Sequence, residues 1–257
     1  MPPFVAYHIL GQRALSLCTQ YNATAARAYP ALYAAGTQGL QLLWGQCPDA
    51  PDLLVLSQEQ EASAMTALLE DLLAYTSVQC DMRTAYAMGF AAHIRAAAAI
   101  EIMVRGKKRA QKEPALDIWA GGVLAQDMNA GQIPSCWKMN GRQEKVLLDT
   151  LGAVARAAGE DRPAKQVKAA FDKTYRLLKK RGFGYPPLSL RSGKRKEDIL
   201  QEQVQRQVKA SDKRGVKSQI KMLEDAARTA REAIDTVTHC SRGEIALTCA
   251  VKFFTGT

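Results

Sequence analysis

The run from Thr84 to Val104 constrains the fold more than any other part of the chain. Its 21 residues are dominated by Ala, Met and Ile. In length it matches a membrane span, which needs about 20 nearly uncharged residues. His93, Arg95 and Glu101 interrupt it, and a central Arg alone opposes insertion by roughly 2.5–3.5 kcal/mol. The run therefore reads as a buried helix in a water-soluble chain, from about Val78 to Val104 and stopping at Gly106. With 257 residues, 47% hydrophobic and 23% charged, the chain can surround such a helix with a core.

The apolar spacing on either side is helical too. Val5 to Thr19 and Thr24 to Trp44 are rich in Ala and Leu. A break is predicted at Pro30, which lacks an amide donor and clashes with the preceding turn. Pro48 and Pro51 mark a loop. Ser57 with Gln60 predicts a capping box, opening a helix whose apolar face is Met65, Leu68, Leu69, Leu72 and Leu73. Pro114 opens a short helix through Trp119 to about Met128, and 131–141 is turn-like. Arg142 to Ala158 turns Val146, Leu147, Leu151 and Val154 inward and ends at Gly159.

Asp161 and Pro163 start the next helix, Ala164 to about Lys180, with Val167, Ala170, Phe171, Thr174 and Leu178 inward. Gly182 to Gly193 is a hinge-like loop containing Pro186 and Pro187, and 194–211 is a very polar helix. Val216, Ile220, Leu223, Ala227, Ala230, Ile234 and Val237 then form a heptad-like seam. It can pack on the body, on 194–211 as a hairpin, or on another chain. In the tail, Ile245, Leu247, Cys249, Val251 and Phe253 alternate with smaller or polar residues, which is strand periodicity; a short helix stays open. The expected fold class is mostly α. It has a multi-helix, bundle-like body over 1–160, a basic helical arm over 161–240 with its hinge at 182–193, and a C-terminal strand or tail over 241–257.

Charge is the second constraint. Residues 162–221 carry eighteen basic and five acidic side chains, a net of +13, while the whole chain is +10. A solvated surface mixes both signs, so this concentration points to a polyanionic partner. Helical spacing lines up Lys165, Lys168, Arg176 and Lys179, with Lys180 and Arg181 following. Lys194, Arg195 and Lys196 form the densest cationic cluster. Lys107, Lys108 and Arg109 make a second candidate phosphate-contacting patch. That patch lacks the upstream glycine spacing of a nucleotide-binding loop and follows a helix rather than a strand.

Arg181, Gly182, Phe183, Gly184 and Tyr185 resemble the start of the longer ribonucleoprotein signature of RRM domains, whose aromatics stack on bases. The resemblance ends there: Pro186, Pro187 and Leu188 follow, a helix precedes, and no four-stranded sheet is in prospect. What it leaves is local physics. Phe183 and Tyr185 stand on a loop between Arg181 and Arg191, placed either to stack on exposed bases or to anchor the loop to the core.

No catalytic motif, cofactor motif or metal-ligand spacing stands out. The histidines His8, His93 and His239 are far apart, and His93 on an Ala-rich helix reads as a hydrogen-bonded core residue. The six cysteines contain no Cys-x-x-Cys pair, so they read as reduced thiols in the cytoplasm or another reducing compartment. The N-terminus lacks the basic and apolar regions of a secretory leader.

The expected function is non-enzymatic nucleic-acid binding, backbone-dominated and weakly sequence-specific. A single-stranded or structured substrate fits best, within a larger nucleoprotein assembly such as a viral nucleocapsid or an RNA-guided complex. Other subunits are expected to meet 216–237 and 245–253, and no membrane is expected. The rival expectation is an adaptor that assembles through the 216–237 seam and binds an acidic partner.

Overall fold

The computed structural model describes residues 4–46, 56–74, 78–104, 139–159, 163–181 and 213–255. Among them every element is helical: nine α-helices and one 3-10 helix, with no strand. In chain order they are α1 (Phe4–Leu17), α2 (Thr24–Ala28), α3 (Pro30–Gly36), the 3-10 helix (Gly39–Gln46), α4 (Gln58–Ala74) and α5 (Val78–Val104). Then follow α6 (Gly141–Ala157), α7 (Ala164–Arg181), α8 (Lys213–Ser241) and α9 (Leu247–Thr255).

The Ala-rich run is the axis of the molecule. α5 packs against α1, α2, α3, α4, α6, α8 and the 3-10 helix. Ala85, Tyr86, Ala87, Met88, Phe90, Ala91 and Ala92 are all buried, so apolar residues cover every side of the helix, as burial all round requires. Small side chains let its neighbours come close, and α3 comes closest. A Cβ on Gly89 would sit 2.1 Å from the Tyr33 carbonyl oxygen and 2.9 Å from the Gly36 Cα. The two backbones therefore touch at Gly36 and Gly89.

His93 is the core residue expected from sequence. Its Nδ1 donates to the Thr37 carbonyl at 2.9 Å, and its ring packs 4.4 Å from that of Tyr7. The same ring covers Gly39, whose φ of +55° suits glycine and where a Cβ would sit 2.5 Å from the imidazole. Pro30 stands at the first position of α3, where its missing amide costs nothing. The Ser57 capping box is present: the Ser57 amide donates to Gln60 Oε1 at 2.9 Å, and the Gln60 amide to Ser57 Oγ at 3.3 Å. Leu73, read as inward, is 49% exposed.

The structure narrows what the sequence left open in the tail and in the seam. Residues 245–253 form no strand; from Leu247 on they enter α9, the short helix left open above. Leu247, Ala250, Val251 and Phe254 follow the i, i+3, i+4, i+7 pattern, and Ala250 and Phe254 are buried. The two-residue alternation lies across that stronger helical stripe. Arg95 fastens the helix, donating from Nη2 to the Phe253 carbonyl at 2.8 Å with its guanidinium over the Phe253 ring.

The seam on α8 is likewise used within the chain. Leu223, Ala227, Ala230, Ile234 and Val237 are buried, and α8 packs chiefly on α5 and α1. The apolar side chains of this part of the seam are thus covered by the chain itself. Polar contacts fix the register: Arg13 to Glu224 at 3.2 Å, and Asn22 Nδ2 donating to Asp235 Oδ1 at 2.7 Å.

The packing also joins α7 and α8 to the helices before them. Val167, Ala170 and Phe171 of α7 and the α8 seam belong to one core cluster with residues of α1 to α6. The expected helices at 114–128 and 194–211, and the hinge at 182–193, lie outside the described residues.

Candidate nucleic-acid interface

α7 is amphipathic, as its spacing predicts. Val167, Ala170, Phe171 and Thr174 are buried, while Lys165, Lys168, Lys173 and Arg176 are exposed. The helix packs on the 3-10 helix and on α6, which leaves its cationic side outward. Among the described residues Lys165, Lys173 and Arg176 have no ion-pair partner.

Lys168 differs from its neighbours. Its ammonium bonds to Glu144 of α6 and lies 3.7 Å from Asp172, one turn along α7. The hydrogen bond to Glu144 is the main reason its pKa is held above the ordinary lysine range, with a smaller opposing effect of desolvation and further support from Asp172. The sequence places Lys168 and Arg176 in one row, but in the folded chain Lys168 is already partly neutralised.

α6 supplies what the sequence reading left out. Asn140 caps it reciprocally: its Oδ1 accepts from the Gln143 amide at 2.9 Å, and Gln143 Oε1 accepts from the Asn140 amide at 3.2 Å. This box places Glu144, Lys145, Leu148 and Asp149 opposite Lys165 and Lys168 across an open groove of about 430 Å3. Lys145 was missed because 101–161 carries nine basic and eight acidic residues, so nothing in the local count singles it out. Pairing across 24 residues between Glu144 and Lys168 leaves no trace in linear spacing.

Lys179, Lys180 and Arg181 occupy the end of α7. The other candidate contacts, Lys107, Lys108, Arg109, Phe183, Tyr185, Arg191, Lys194, Arg195 and Lys196, lie outside the described residues.

Other polar clusters are structural in character. Glu244 accepts from Tyr21 at 2.5 Å and also bonds His239, while Arg242 stacks 3.5 Å above the Tyr21 ring. The cluster joins the α1–α2 turn to the α8–α9 turn. Burial pushes the Cys18 thiol up to about 12 and raises that of Cys240, so neither is poised as a nucleophile. Among the described residues no group of three His, Cys, Asp or Glu side chains is placed to hold a metal, and no helix is long and apolar enough to cross a membrane.

The chain matches no family model, and no similar curated protein or solved structure was found.

Proposed function

We propose that the protein binds nucleic acid mainly through the phosphate backbone, as a non-catalytic subunit of a larger nucleoprotein assembly. The observation that carries this reading is the outward cationic face of α7, seated within a 60-residue segment of net charge +13. Cations on a rigid helix pay little ordering entropy when they meet phosphates, and their neutralisation of the backbone releases counterions. The same segment continues beyond Arg181 with Lys194, Arg195 and Lys196 and with the aromatic pair Phe183 and Tyr185, a composition suited to single strands. Backbone contact implies weak sequence preference. The adaptor alternative loses support, since the apolar positions of 223–237 are buried within the chain.

The test is titration of a labelled single strand over a salt series, with the full chain and with Lys165→Ala combined with Arg176→Ala. Each lost phosphate contact flattens the log–log slope by about 0.7 on a single strand. The paired change is expected to weaken all sequences alike and to flatten the slope by about twice that amount. Unchanged affinity and slope would remove α7 from the interface. Purification without nuclease, followed by sequencing of whatever co-purifies, identifies the nucleic acid.

A further inference from the structure

We propose that the groove between α6 and α7 is a phosphate subsite for single-stranded nucleic acid, and that Glu144 occupies its Lys168 until a phosphate displaces it. This rests on the nucleic-acid reading above and adds a site and a competitor to it. Three lysines line the groove, Lys145 from α6 with Lys165 and Lys168 from α7, beside Leu148 and the two carboxylate residues Glu144 and Asp149. Lys145 and Lys165 are exposed and have no ion-pair partner among the described residues. Only Lys168 is held, by Glu144 across the groove and by Asp172 on its own helix.

The pair is half-exposed, 50% at Lys168 and 38% at Glu144. Such surface pairs contribute little to stability, so its main effect is on the charge offered to a ligand. A phosphodiester oxygen gives Lys168 the same charge-assisted bond that Glu144 gives it. While Glu144 stays in place, that phosphate must also approach a like charge. A flexible strand can lower one phosphate into a groove between two helices. A stiff duplex meets only the outer row of α7, which makes the subsite selective for single strands.

The test compares binding of a fluorescein-labelled, mixed-sequence single strand by the wild-type chain, Glu144→Gln, Lys168→Met and the double variant. Glu144→Gln is expected to bind about fivefold tighter, the change corresponding to removal of one like charge about 4 Å away in water. Its salt slope should steepen by about 0.7, one more phosphate contact. The gain should vanish when Lys168 is Met, and should be absent on a duplex of the same sequence. If Glu144→Gln lowers the melting temperature, Asp172→Asn releases the same ammonium from its other side and should give a smaller gain with the same dependence on Lys168.

Wild-type affinity in both carboxylate variants, or a gain that persists without Lys168, overturns the subsite. In that case the α7 reading still stands if Lys165→Ala with Arg176→Ala weakens binding, and falls with it if they do not. A gain on phosphatidylserine vesicles with none on the strand would also overturn the proposal, by assigning the groove to lipid phosphate.

Discussion

His8 and His93 are buried imidazoles, and burial holds each near 4 rather than the ordinary 6.5. For His93 the bond to the Thr37 carbonyl opposes that effect in part; His8 Nδ1 has no hydrogen-bond partner among the described residues. Both are neutral in the folded chain down to about pH 4, whereas the unfolded chain protonates them near 6.5. Their contribution to stability is therefore complete above 6.5 and is lost as the pH falls toward 4. Glu61 acts in the opposite sense. Burial raises its carboxyl to about 7 against the attraction of Arg95, so between about 4.5 and 7 the folded state keeps a proton that the unfolded state releases. Two protons gained on unfolding less one lost leaves a net of about one, and stability should fall by about 1.4 kcal/mol per pH unit on acidification from 6.5 to 4.5. Urea unfolding at a series of pH values measures this slope. His8→Phe should flatten the slope, and Glu61→Gln should roughly double it. Stability that holds level or rises on acidification of the wild-type chain would contradict these assignments. The burial of His93 was legible in the sequence, because it lies in an Ala-rich helix. The raised carboxyl of Glu61 was not, because its burial depends on which helices cover α4.

The crossing of α3 and α5 sets how tightly the core closes. Gly36 and Gly89 let the two backbones touch, so Gly89→Ala must push the helices apart against packing on every other side. The expected loss is about 3 kcal/mol. Gly152 is the control within α6. A Cβ there would meet only a Val167 methyl, at 4.0 Å, so Gly152→Ala should be neutral or stabilising by up to about 1 kcal/mol through helix propensity. Thermal melts of the two variants separate the readings, and equal effects would show that the crossing is not tight. Most elements were legible: the capping box at Ser57, the break at Pro30 and the stop at Gly159 are local chemistry. The sequence left α9 open between strand and helix because a nine-residue segment carries both periods at once. Docking against Arg95 and the core selects the helical one, since Ala250 and Phe254 then turn inward together.

At the scale of the whole molecule one core collects residues from α1 through α9. The α8 seam is part of it, so Ile234→Ala should lower stability by about 2–5 kcal/mol, as a buried large-to-small change does. That loss should not depend on protein concentration. Melting curves at several concentrations provide the check, and a midpoint that rises with concentration would restore the seam as an interface between chains. By itself the sequence determined the helical class, the core faces of the long helices and the placing of the positive charge in 162–221. These follow from residue type and spacing along one element, which the chain states directly. Only the tertiary structure decided which surface the α8 seam meets, that α7 shares one core with α1 to α6, and that Glu144 takes up Lys168. Each of these depends on which helices become neighbours, and many arrangements satisfy the same one-dimensional pattern. The close contact at Gly36 and Gly89 and the covering of α5 on all sides select one of them.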